Sequence, residues 1–191
     1  VIHIGHFQDN FLNQESRRYT MVNLRETPFY LSNEDISWVE STLESMTEEE
    51  KIAQLFCLIG YSSDEEYLKG LALNVKPGGL MCRPMPAKEV VDTVKLLQEN
   101  SKIPMLISAN LEKGGNGIAE EGTFLGSHMQ VGATDEDEMA KKLGMVCGRE
   151  GAAVGCNWSF APIIDIDYNF RNPITNTRTF GSDPDRVRRM G

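Results

Sequence analysis

The sequence predicts an α/β fold in which short parallel strands alternate with amphipathic helices. Three observations carry that expectation. Short apolar runs recur along the chain: "CLIG", "GGLMCR", "PMLISAN" and "NWSFAPIID". Segments with apolar residues at helical spacing lie between them, most clearly "AKEVVDTVKLLQEN". Helix-start signals punctuate the pattern. Strands that alternate with helices in this way pair in parallel and connect by right-handed crossovers. About four strand–helix units can be counted.

The elements follow in order. Residues 1–20, "VIHIGHFQDNFLNQESRRYT", show no sustained period and no caps, and are expected to be a tail outside the fold. Met21 is the expected biological start, so the domain is read as residues 21–191. Ser32 with Asp35, and Thr47 with Glu50, each have the spacing of a capping box. The first box opens a helix that should turn Ile36, Val39 and Leu43 inward. The second opens "TEEEKIAQLF", which runs into "CLIG", a short strand ending at Gly60. "GGLMCR", residues 78–83, reads as the next strand. Residues 87–100 form a helix with Val90, Val91, Val94 and Leu97 on one face. "PMLISAN" is a buried strand. Thr134 is the expected cap of the helix in "DEDEMAKKLGMVCGREGAAVG". The acids in its first turn complement the positive helix end rather than converge on a metal. "NWSFAPIID" is the last strand. Ser182 or Asp183 caps a closing helix, with Pro184 in its first turn.

Composition narrows the function. At 191 residues the chain is the size of one domain, and 40% hydrophobic with 25% charged residues is normal for a globular protein. A net charge of −9 argues against a nucleic-acid partner. No apolar run approaches the ~18 residues that cross a membrane. No charged-then-apolar leader opens the chain. Four cysteines without CxxC spacing read as reduced, packed thiols, and the expected location is cytoplasmic. No cofactor or metal is implied.

In parallel α/β folds, functional loops lie at the carboxyl ends of strands. Two such loops stand out. One follows "NWSFAPIID" and ends at Arg178, beside "TFG". Its planar fork of donors suits hydroxyls or carboxylates. Two readings are open at this point: Arg178 faces a ligand, or it pairs with Asp165 or Asp167 to hold its loop. The other loop, "NLEKGGNGIAEEGTF", has glycines at 114, 115, 117 and 122. It lacks the phosphate-binding pattern GxxxxGK[ST]. Asn110 and Glu112 are its candidate pocket residues. His128, in "GSHM", is read as a loop or packing residue.

These segments carry a resemblance. "MTEEEKIAQLF", "KPGGLM", "IPMLISANLEKGG", "VGATDEDEMAKKLGMVCGREGAAVGCNWSFAPIIDID" and "RTFGSDPDRV" resemble, in order, the N-terminal domain of glycoside hydrolase family 3. The joint signature FAP-x-x-D and R-x-F-G-x-D-P is the specific part, and the β-N-acetylhexosaminidase branch is the most similar. The resemblance covers about residues 32–191. It implies a (β/α)8 TIM-type barrel, of which this chain holds the first half, about four βα units. It implies a retaining glycosidase acting on β-linked sugars, with terminal β-N-acetylhexosaminides as the expected substrates. The acid/base His expected after the fifth strand and the nucleophilic Asp expected after the seventh match nothing here. No catalytic residue is therefore assigned to this chain, and alone it is expected to be inactive.

By the same resemblance, Arg178 matches the arginine that holds the sugar in the reacting subsite. Asn110 stands where many members have an Asp gripping sugar hydroxyls, and "NLEKGG" replaces a "DQEGG"-like pattern. Glu112 shares the role. Asp165 matches the FAP-x-x-D aspartate and is read as organising its loop. Two alternatives stay beside this reading: the β-glucosidase branch of the family, and a non-catalytic sugar-binding half-barrel. A doubly wound nucleotide-binding domain fits the alternation but lacks a phosphate fingerprint.

Overall fold

The computed structural model describes residues 22–191. The expected tail, residues 1–20, and the expected start at Met21 lie outside the described residues. The described residues fall into two compact units, 22–46 and 47–191.

The first unit carries helix α1 (Asn33–Glu44). The Ser32 hydroxyl accepts from the Asp35 amide, and the Asp35 carboxylate accepts from the Ser32 amide, each at 3.2 Å. Two orphan donors of the helix start are thereby satisfied. Ile36 and Val39 are half-buried, as their spacing predicts. Leu43 is not turned inward: it is 51% exposed. The apolar stripe is covered over the first two turns only.

The second unit opens with α2 (Glu48–Ala53), whose Thr47–Glu50 capping box is complete. Strand β1 (Cys57–Ile59) follows, then α3 (Glu65–Gly70), which runs on through a π-helical turn, Leu71–Val75. Next come β2 (Gly79–Met81), α4 (Ala87–Asn100) and β3 (Leu106–Ala109). The chain closes with α5 (His128–Gly132), α6 (Asp137–Ala153), β4 (Trp158–Ser159) and α7 (Pro184–Met190).

The strands form one parallel sheet in the order β1-β2-β3-β4. Leu58, Leu80 and Ile107 share one register row; Ile59, Met81, Ser108 and Trp158 share the next. Side chains alternate along a strand, so these rows point to opposite faces. The first row enters the core with Leu68, Val90 and Leu97, where Leu80 is 1% and Ile107 0% exposed. The other face is exposed in part: Ile59 is 39%, Leu106 47% and Trp158 40% exposed, whereas Ser108 between them is 0% exposed.

Several details differ from the sequence-based expectation. The last strand is not "NWSFAPIID" but two residues: the Ala161 amide turns to the Ser159 hydroxyl at 3.2 Å, and Pro162 beyond it has no amide to offer. Helix α3 ends at Gly70, and its six residues are too few to display a period. Thr134 does not cap α6. Its hydroxyl bonds the Val131 carbonyl at 2.7 Å, Asp135 takes a left-handed backbone with φ 55°, and the helix starts after Glu136. At α7, Asp183 rather than Ser182 is the cap; its carboxylate accepts from the Asp185 amide at 2.9 Å.

Candidate functional site

Strand β3 delivers Ala109 to the carboxyl edge of the sheet, and the chain turns there into the loop 110–125. The loop is held from two sides. On α6, the Glu150 carboxylate accepts from both the amide of Thr123, at 2.8 Å, and its hydroxyl. These donors hold the Glu150 carboxyl below its usual range. At the start of α4, Glu121 accepts from the Ala87 amide at 2.8 Å. Glycine is required where the loop folds over itself. A Cβ on Gly117 would lie 2.1 Å from the Asn110 carbonyl oxygen.

This anchoring leaves the Asn110 side chain exposed at the strand end. It lines two adjoining clefts. One, of about 210 Å³, also touches Glu112, Lys113, Asn116 and Arg178. The other, of about 170 Å³, touches Met81, Arg83 and Pro84 from the end of β2. Asn110 and Gly117 are common to both.

Arg178 reaches the first cleft from the loop after β4. Its Nε donates to one Glu112 oxygen at 2.8 Å and its Nη2 to the other at 2.6 Å. Glu112 is 7% exposed, so the pair is a buried carboxylate capped by a half-exposed guanidinium. The hydrogen bonds to Glu112 raise the Arg178 pKa, and the charges of Glu112 and Asp165 act in the same direction. Neither Asp165 nor Asp167 bonds the Arg178 side chain; Glu112, from a different loop, takes it instead.

The backbone behind Arg178 is fixed as well. His128 Nδ1 lies 2.6 Å from the Arg178 carbonyl. A carbonyl only accepts, so Nδ1 carries the hydrogen. The ring stacks on Phe180, centroids 4.7 Å apart. His128 is 2% exposed, and burial pushes its pKa down. It is a packing residue that opens α5, not a group facing the cleft.

Of the residues picked from the sequence, Asn110, Glu112 and Arg178 come together. Asp165 is exposed and makes no hydrogen bond or ion pair among the described residues. Asparagines bond within the loop, with Asn172 accepting from the Ile174 amide and Asn176 donating to the Phe170 carbonyl. Sequence reasoning missed Arg83, Lys113 and Asn116. The buried Asn116 Oδ1 has no hydrogen-bond partner within the protein. It also missed Glu150, for which no local signal exists, because Thr123 lies 27 residues away. Among the described residues, no group of three or more His, Cys, Asp or Glu is placed to hold a metal ion. No helix among them is long and apolar enough to cross a membrane.

A cleft at the carboxyl edge of a parallel sheet, lined by amides and an oriented guanidinium, is suited to a polyhydroxylated ligand. Residues 47–191 match the family described as "Glycosyl hydrolase family 3 N terminal domain". The chain belongs to glycosyl hydrolase family 3. The N-terminal domain of that family is a TIM-barrel-like α/β fold, in accord with the parallel sheet and its helices.

Among family members, the "Beta-N-acetylglucosaminidase/beta-glucosidase" of Cellulomonas fimi is 48% identical over 171 residues, covering 90% of this chain and 30% of that protein. The solved "Beta-glucoside phosphorylase BglX bound to 2FGlc" superposes with a TM-score of 0.82 at 48% identity, over 87% of this chain and 30% of its own. A family 3 β-N-acetylglucosaminidase from Paenibacillus sp. str. FPU-7 gives a TM-score of 0.67 at 25% identity, over 77% of this chain and 30% of its own. The chain thus spans about 30% of the length of these relatives.

Proposed function

We propose that residues 21–191 form the first four βα units of a (β/α)8 barrel, with residues 1–20 outside it. We propose further that the whole protein cleaves terminal β-glycosides with retention, with β-N-acetylhexosaminides and β-glucosides as the substrate class. The observation that carries this reading is the Arg178–Glu112 pair beside Asn110, at the carboxyl edge of a family 3 sheet. The exposed Ile59, Leu106 and Trp158 on one face of the sheet support the barrel, because they suit a closed interior. The four thiols, none in a disulfide, support a cytoplasmic location.

In this reading the chain supplies sugar binding. Glu112 orients Arg178 by taking up two of its donors, so the remaining N–H groups present a fixed edge to sugar hydroxyls. Asn110 offers one donor and one acceptor without charge. The chemistry requires a carboxylate that attacks the anomeric carbon and an acid that protonates the leaving oxygen. Neither is assigned to this chain. The test is turnover of aryl β-N-acetylglucosaminide and aryl β-glucoside by the whole protein, with the product anomer followed by NMR. Retained configuration is expected, and no turnover from the 191-residue chain alone. An inverted product, or activity of the chain alone, overturns the reading.

A second reading concerns the acceptor. The relative superposing at a TM-score of 0.82 is named a phosphorylase. On that reading phosphate, rather than water, takes the glycosyl group.

A further inference from the structure

We infer that Arg83, Lys113 and Asn110 form an anion-accepting rim beside the sugar site, and that its ligand is inorganic phosphate. This inference rests on the phosphate-acceptor reading above.

The chain is acidic, and most cations of the second unit are paired with a carboxylate. Lys76 and Lys102 meet Glu50, Arg186 and Arg189 meet Asp135, and Arg178 meets Glu112. Arg83 and Lys113 differ. Among the described residues, neither side chain forms a hydrogen bond or an ion pair, and both line the clefts that meet at Asn110 and Gly117. Arg83 comes from the end of β2 and Lys113 from the loop after β3, so two elements bring surplus positive charge to one rim.

A neutral sugar gives these charges nothing to neutralise. Arg178 cannot account for them, because Glu112 already balances it. An acceptor with two negative charges and several acceptor oxygens uses both cations and the amide donor of Asn110. The amide matters for its neutrality: a carboxylate at the same point would repel the anion.

The transfer balances with phosphate as acceptor. An anionic oxygen of hydrogen phosphate bonds to the anomeric carbon of the glycosyl-enzyme. The ester bond from that carbon to the enzyme carboxylate breaks, and its electron pair returns to the carboxylate. The proton already on phosphate stays there. The step yields a sugar 1-phosphate with retained configuration and needs no base.

The experiment uses the whole protein with an aryl β-glycoside at saturation. Inorganic phosphate is varied, and sugar 1-phosphate is read by phosphorus NMR. Arg83→Met and Lys113→Met keep the apolar stems and remove the charges; Asn110→Asp adds the opposing charge. Each is expected to raise the KM for phosphate by about tenfold or more, well beyond any rise in the KM for the glycoside. Arg83→Lys should recover part of the loss. Melting temperatures establish that each variant folds; Arg83 is exposed and Lys113 half-buried, and Met keeps the apolar stem at both. An unchanged phosphate KM in both Met variants overturns the rim while leaving phosphate as acceptor. A wild-type protein that releases only free sugar, with no response to phosphate, overturns the acceptor reading and the rim together.

Discussion

Arg178 and Glu112 meet fork to fork, Nε to one carboxylate oxygen at 2.8 Å and Nη2 to the other at 2.6 Å, across 66 residues of sequence. The contact joins the loops after β3 and β4. It orients a half-exposed guanidinium from a buried anchor, which is why the identity of the cation matters.

In the whole protein, Arg178→Lys is expected to lower kcat/KM strongly. Lysine keeps the charge but replaces two directed bonds with one flexible contact. Losing one charged hydrogen bond, at ~1.5–3 kcal/mol, corresponds to about a tenfold to hundredfold fall in kcat/KM. Kinetics and melting are measured on the same variant. Near-normal kcat/KM with a lowered melting temperature would reduce Arg178 to a strut between loops.

Gly117→Ala tests the loop. The new methyl would meet the Asn110 carbonyl at 2.1 Å, and backbone cannot yield as a flexible side chain can. The expected cost is about 1–3 kcal/mol, read from urea unfolding. Weakened sugar binding should accompany it, because the displaced carbonyl belongs to Asn110. An unchanged unfolding midpoint would contradict the packing described.

Acid stability should depend on Glu50. Hydrogen bonds from Lys76, then from the Thr47 backbone and from Lys102, bring its carboxyl down to about 2. A depressed carboxyl pKa contributes stability above its unfolded value of about 4.3, and that contribution is lost as the pH falls towards the folded value. The melting temperature of wild type should therefore drop between about pH 4.5 and pH 2 more steeply than that of Glu50→Gln. Parallel curves for the two proteins would remove Glu50 from the acid transition.

Thiol labelling should separate the cysteines. Cys57 is half-buried, whereas Cys82, Cys147 and Cys156 are buried. Burial pushes the Cys82 thiol up to about 11 and raises those of Cys147 and Cys156. The thiolate is the reactive form. A thiol reagent at pH 8 should label Cys57 first, and the other three only as urea unfolds the chain. Rapid labelling of Cys82 in the native protein would show that the core opens locally.

The features legible in the sequence are those whose physics is local. The capping boxes of α1 and α2 span three residues, and α4 displays its stripe over 14 residues, so spacing alone reveals them, although Val91, read as part of that stripe, is 44% exposed. Helices α3 and α5 have six and five residues, too few to establish a period. The site divides in the same way. Loops at strand ends pointed to Arg178, Asn110 and Glu112, but the partner of Arg178 did not follow from proximity in sequence. Asp165 and Asp167 are nearer along the chain, yet Glu112 is the residue the fold brings beneath the guanidinium. Arg83 and Lys113 look like ordinary surface cations until β2 and β3 are placed side by side.

The loop after β3 is secured through Glu150, Glu121 and the tight turn at Gly117, none of which depends on the side chain of Asn110, Lys113 or Arg83. Those three side chains carry no internal hydrogen bonds among the described residues. In evolutionary terms the scaffold and the ligand-facing side chains are free to diverge separately. Single substitutions at the rim can redirect donor or acceptor preference without first requiring compensation in the fold. A lineage built this way can explore neighbouring substrates by short mutational steps, each through a protein that still folds.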